Sequence, residues 1–277
     1  MSAKLTILLL FVSVVLAKQT LIRLPKVNPD GGIAKQGRII GGNPAAVGEY
    51  PWQAAIYTTK PDGRYFCGGT LLNDQWILTA AQCAYEATSF TIQLGSNQLS
   101  GTDPNRLTVT ASKYFINDRF DPTVSLAHDM AVIKLNEPIN FTDYIKPVDY
   151  YGRMGMLYPG AVLTVTGWGQ ASDADTNLIN DLQTVDVSII QSKECSIYYG
   201  DQIVDGMLCT VGLTNNEGIC FGDIGGPLLS RATSGNGTSV MAISSWVSQN
   251  GCESAYPKGY TRVDWYNNWL TQTLENN

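Results

Sequence analysis

Short apolar or alternating runs, each closed by Gly, Pro, Asn or Asp, recur along this 277-residue chain and constrain its fold more than any other feature. They fall at 52–57, 66–72, 76–81, 90–94, 107–114 and 130–135, and again at 161–167, 182–190, 207–210, 227–230, 239–244 and 259–263. A strand repeats every two residues and is complete within a run this short, whereas a helix needs a longer stretch at its own period. Many short strands with frequent turns predict an all-β barrel or sandwich, and the pattern alone does not choose between them. The last segment, 264–274, differs. It sets Trp265, Trp269 and Leu270 on one helical face behind Asp264 as N-cap, which predicts a C-terminal α-helix docked on a sheet.

Residues 1–17 carry Lys4, an apolar run at 5–16 and a small residue at Ala17, the pattern of a signal peptide and too short a run to cross a bilayer. A secreted, extracellular protein without a membrane anchor is expected. Six cysteines, an even number in such a chain, read as three disulfides, with 15 pairings open. No CxxC pair exists and His128 is the only histidine, so no metal and no cofactor are expected. The loop at 95–106 offers Asp103 but no pair of glutamates, and no calcium site is expected there. With 44% hydrophobic and 15% charged residues the chain is an ordinary globular one, of a length for one large domain or two small ones. A formal charge of −6 argues against nucleic acid or an anionic membrane as partner. Asn140, in Asn140-Phe141-Thr142, and Asn236, in Asn236-Gly237-Thr238, are glycosylation candidates. Residues 18–38, rich in Lys, Pro, Asn and Gly and without cysteine, read as a short flexible pro-segment.

Three segments carry the chemistry: Leu78-Thr79-Ala80-Ala81-Gln82-Cys83, His128-Asp129-Met130-Ala131-Val132, and Cys220-Phe221-Gly222-Asp223-Ile224-Gly225-Gly226-Pro227. They resemble the active-site signatures of the chymotrypsin-like serine proteases, which read T-A-A-H-C and G-D-S-G-G-P around His and Ser. Gly37-Arg38-Ile39-Ile40-Gly41-Gly42 resembles the family's activation site, and Ser245-Trp246-Val247 its S-W-G segment. The spacing from Gly251-Cys252-Glu253 to Tyr260-Thr261-Arg262-Val263 looks most like the brachyurin group of invertebrate digestive proteases.

The resemblance covers 39–277 and implies two packed six-stranded antiparallel β-barrels, in a monomer, with disulfides Cys67–Cys83, Cys195–Cys209 and Cys220–Cys252. It places Gln82 where the family keeps its catalytic His, Ile224 where it keeps Ser, and Asp129 at the third position. Gln does not titrate and Ile carries no heteroatom, so neither can supply a proton relay or a nucleophile. His128 directly precedes Asp129 and should point away from it, as a surface or loop histidine. The resemblance further implies that cleavage after Arg38 frees Ile39 to pair with Asp223, and that the N–H groups of Gly222 and Ile224 form an oxyanion-hole-like pair. Gly218 takes the specificity position without an acid, Val247 narrows the pocket, and Lys258 either reverses its charge or, the favoured reading, snorkels to solvent. The function expected on these grounds is not enzymatic: an inactive homologue that binds peptides, protease inhibitors or active protease relatives. The alternatives are weak residual serine-type endopeptidase activity, through Ser245 or Ser248, and a scaffold or nutrient protein.

Overall fold

The computed structural model describes residues 21–22, 33–34, 40–150, 157–214, 216–230 and 237–277. The signal segment, the bond between Arg38 and Ile39, and Asn236 lie outside the described residues. Asn140 is exposed.

The first sheet is built from β4 (Gln53–Lys60), β5 (Gly63–Leu71), β6 (Trp76–Thr79), β7 (Ser89–Leu94), β8 (Leu107–Ala111), β9 (Lys113–Ile116) and β10 (Ala131–Lys134), in the order β8-β7-β4-β5-β6-β10-β9. The edge strands β8 and β9 are consecutive in the chain and separated by Ser112 alone. The run read from the sequence as one strand at 107–114 therefore bends at Ser112 and changes partner, from β7 on one side to β10 on the other. Counted as one bent strand it gives six, drawn around into a half-open barrel by the chain itself.

Before it come the two-residue strands β1 (Leu21–Ile22), β2 (Ile33–Ala34) and β3 (Asn43–Pro44). The second half contributes β11 (Val162–Gly167), β12 (Leu178–Ile179), β13 (Gln183–Ile190), β14 (Met207–Gly212), β15 (Pro227–Ser230), β16 (Val240–Ser248) and β17 (Lys258–Arg262). The order β16-β15-β11-β13-β14-β17 closes on itself through the β16–β17 pairing, so this barrel is complete. Closure leaves no unpaired edge along most of its length. Three short helices complete the order: α1 (Ala81–Ala84), α2 (Ser192–Tyr199) and α3 (Asn267–Asn276).

Each barrel is filled by the inward set of alternating residues. Ile56, Leu71, Ile77, Ile92 and Ile133 form the centre of the first, and Leu163, Val165, Trp168, Val187 and Leu228 that of the second. Complete burial of each such side chain contributes about 1.5–3 kcal/mol. The barrels meet where Gly68 faces Gly226: a Cβ on Gly68 would lie 2.8 Å from Gly226 Cα, so the two backbones can touch only because residue 68 lacks one. The Gly68 N–H donates to the Ile224 carbonyl across this seam at 2.7 Å.

All three disulfides join the expected partners: Cys67–Cys83, Cys195–Cys209 and Cys220–Cys252. The C-terminal helix is present, with Leu270 fully buried, but Trp265 is half exposed and Asp264 is not its cap. A 3₁₀ turn precedes α3, and the Asp264 carboxylate is instead taken by the Arg262 guanidinium in a two-point contact at 3.0 and 2.6 Å. A second correction concerns residues 18–38. Read from composition as flexible, they contain β1, which pairs antiparallel with the end of β16, and β2, which pairs parallel with β12.

Candidate functional site

Register brings the first two site residues together. Strand β10 pairs antiparallel with β6 with Ala131 opposite Thr79, and two residues further along that register Asp129 falls opposite Ala81, the first residue of α1. The single turn of α1 then turns Gln82 toward Asp129. Its backbone N–H donates to Asp129 Oδ1 at 2.9 Å, and its Nε2 donates to Asp129 Oδ2 at 2.6 Å and to the Ser245 carbonyl at 2.8 Å. Both partners of the side chain accept only, which fixes the amide with its nitrogen toward them. Ser245, from β16, donates its hydroxyl to Asp129 Oδ2 at 2.6 Å. Gln82 thus clasps the first barrel to the second through a carboxylate with no exposed surface. Burial pushes the Asp129 carboxyl above the usual range, and the donors from Ser245 and Gln82 pull against that shift. The part of Ser245 in this cluster is what the sequence reading missed.

Ile224 is 2% exposed and packs into the core of the first barrel. Beside it, the N–H groups of Gly222 and Ile224 have no acceptor among the described residues. Gly222 adopts φ 100°, and a Cβ there would collide with Leu178 Cδ2 at 2.5 Å, so both the backbone and the space require glycine. Asp223 is fully buried and accepts from the Gly169 N–H at 2.7 Å and the Cys220 N–H at 2.9 Å. Burial drives its carboxyl up to about 7, only partly offset by those two amides.

His128 does not serve Asp129. It sits in a turn before β10 at φ 60°, and its Nδ1 lies 2.8 Å from the Tyr266 hydroxyl, facing the C-terminal segment. Burial holds its pKa below the usual histidine range, aided by Arg119.

Lys258 corrects the favoured sequence reading. It does not reach solvent: at 3% exposure its ammonium donates to the Asn216 carbonyl at 2.8 Å and, more weakly, to that of Glu217 at 3.4 Å. Its stem fills the space above Gly218, where a Cβ would come within 2.5 Å of Lys258 Cδ. The Trp246 ring covers the neighbouring Gly259. Desolvation pushes the ammonium down to about 8, against the attraction of Glu217 and Asp173. Gly218 and Lys258 therefore meet, while Val247, fully buried, lies on β16. The backbone of β16 pairs with β17 as far as Trp246 opposite Gly259. Beyond that point Val247 and Ser248 pair with Ile22 and Leu21 of β1.

Among the described residues no helix is long and apolar enough to cross a membrane. One group of three potential metal-binding side chains occurs, Asp173 with Cys220 and Cys252. Those two cysteines form a disulfide, and the Asp173 carboxylate accepts from the N–H groups of Cys252 and Glu253, so the group is not a metal site.

Residues 39–270 match the family model named Trypsin. Brachyurin of Leptuca pugilator is 35% identical over 237 residues, covering 85% of this chain and 98% of its own. Human Kallikrein-7 is 31% identical over 263 residues, covering 95% and 98%. A solved collagenase structure, "HL collagenase", superposes with a TM-score of 0.71 at 31% identity, over 86% of this chain and 99% of that one. These matches overturn the expectation that the chain is not an enzyme. The family is named for an endopeptidase, one solved structure similar to this chain is a collagenase, and the resemblance extends over nearly the whole of each relative. From the two barrels, the three disulfides and these matches together, the chain belongs to the trypsin family, with a chymotrypsin-like serine protease domain.

Proposed function

We propose that this trypsin-family protein acts by holding extended peptide segments of secreted proteins along the end of β16, the segments being those of protein protease inhibitors or of active protease relatives. One observation carries the reading: at Val247 and Ser248 the strand accepts an added antiparallel strand, within a few residues of the Gln82–Asp129–Ser245 cluster. Strand addition draws affinity from main-chain hydrogen bonds and asks nothing of the side chains at 82 and 224. The paired N–H groups of Gly222 and Ile224 offer a second anchor for a carbonyl or carboxylate, since that device is made of backbone. An extracellular setting is proposed from the leader at 1–17 and from three disulfides, which persist in an oxidising compartment.

The test is calorimetric titration of the full chain, and of the chain cut after Arg38, with a reversible protein inhibitor of serine proteases and with a synthetic extended hexapeptide. Saturable one-to-one binding by either probe supports the reading. Its absence for both probes at ~1 mM, an affinity of only about −4 kcal/mol, counts against it. Peptidase turnover is recorded on the same samples, because binding and hydrolysis are separate properties of one cleft.

A further inference from the structure

We infer that the end of β16 already has a resident occupant, the chain's own Leu21–Ile22, and that segment 18–38 is a tethered competitor for whatever peptide this edge receives. The inference rests on the peptide-holding role proposed above. The pairing is antiparallel, Leu21 opposite Ser248 and Ile22 opposite Val247. It begins just past the last β16–β17 partner, Trp246 opposite Gly259, on a stretch where Ser248 also bridges Gly251.

Two further contacts fix the segment on either side of the Arg38–Ile39 bond. Ile33 and Ala34 pair with Leu178 and Ile179 in parallel, and Ile40 bridges Gly218, whose N–H donates to the Ile40 carbonyl at 3.3 Å. A two-residue ladder is weak by itself. What maintains it is covalent attachment, which gives the segment an effective concentration on the order of millimolar. Residues 18–38 contain no cysteine, so a cut after Arg38 leaves the occupant held by two short ladders and no tether. An outside peptide that forms a longer ladder then displaces it, whereas before the cut that peptide must compete with the tethered strand. The bond after Arg38 thereby controls access to the edge by releasing a backbone.

The experiment compares two forms of the full chain, both carrying Arg38→Gln to keep them uncut, one with Leu21→Pro and Ile22→Pro added. Proline has no N–H and cannot complete a ladder. Amide hydrogen exchange over 240–250 is followed in each, together with the affinity for a synthetic heptapeptide copying residues 18–24. The expected result is protection, in the uncut chain, of the one amide of the Val247–Ser248 pair that faces β1, lost in the proline form, with the heptapeptide bound at least about tenfold more tightly by the proline form. Fast exchange of that amide in the uncut chain overturns the inference by itself, whether or not the proline form folds. Equal exchange and equal heptapeptide affinity in the two forms also overturn it, while leaving the peptide-holding role intact. Protection that the prolines abolish, in a chain that binds neither the inhibitor nor the hexapeptide, upholds the resident strand and removes the external-ligand role.

Discussion

Replacing Gln82 by Ala deletes two hydrogen bonds at the seam between the barrels, one to the buried Asp129 carboxylate at 2.6 Å and one to the Ser245 carbonyl at 2.8 Å. A bond to a charged acceptor contributes about 1.5–3 kcal/mol and a neutral one about 0.5–1.5 kcal/mol, for a total of roughly 2–4 kcal/mol. Asp129 keeps the Gln82 backbone N–H and the Ser245 hydroxyl, so the variant still folds. At about 2–4 °C per kcal/mol for a domain of this size, the expected fall in Tm is on the order of 5–15 °C. The deficit carries its own pH signature. Burial already raises the Asp129 pKa, so the stability tied to its protonated form is complete at low pH and is lost as pH rises. Removing a donor to the charged form adds to that loss, and the gap between Gln82→Ala and the parent is therefore wider at pH 7 than at pH 4. Gln82→Glu, which sets a second carboxylate against the first, is the sharper control and falls further at pH 7 than Gln82→Ala does. Calorimetry or urea titration with the disulfides intact reads all three forms. A Gln82→Ala change within about 0.5 kcal/mol of the parent, or a gap that does not vary with pH, refutes the reasoning.

Asp223, raised to about 7 from 3.8, makes the uncut chain less stable as pH climbs from about 4 to about 7, by on the order of 4 kcal/mol across that window. Asp223→Asn flattens that window in a plot of Tm against pH, and an unchanged slope contradicts the assignment. Lys258, lowered to about 8, has the opposite course. The desolvated charge costs stability below about 8, and the loss is recovered as pH rises toward 10.5, so Lys258→Met removes a rise of on the order of 3 kcal/mol between those limits. Urea titration at pH 7.5 and 10 is the check. The double substitution Gln82→His, Ile224→Ser sets an imidazole at the Asp129 carboxylate and a hydroxyl in place of a core side chain. It loosens the core, because Ile224 is 2% exposed, and costs about 2–5 kcal/mol. An unfolding free energy within about 0.5 kcal/mol of the parent contradicts the core role of Ile224.

The strands were legible because alternation is a local property, and the three disulfides because the family resemblance selects one pairing of fifteen. What escaped notice depended on contacts and bends that residue type alone does not announce. Asp264 has the residue type of an N-cap, but Arg262 two residues earlier binds it more strongly than backbone amides would. Lys258 looks like a side chain able to reach water, and only the fold shows Trp246 closing over Gly259 while two carbonyls capture the ammonium. The stretch 107–114 reads as one strand because the bend at Ser112 has no glycine or proline to mark it. Leu21–Ile22 is too short to announce a strand, and its partner lies more than two hundred residues away. The triplet Gln82–Asp129–Ser245 was half visible: its first two members stand in recognisable motifs, whereas the hydroxyl of Ser245 reaches Asp129 only through the packing of one barrel on the other.

Backbone recognition at the end of β16 has a signature that no side-chain contact reproduces, since a strand presents N–H groups to a given edge only at alternate residues. The deciding measurement titrates the Leu21→Pro, Ile22→Pro form of the full chain with the 18–24 heptapeptide N-methylated at one residue at a time. Affinity that falls at least about tenfold at alternate positions and is unchanged at those between is the predicted result. Uniform tolerance of N-methylation, or no binding of the unmodified peptide, contradicts the account.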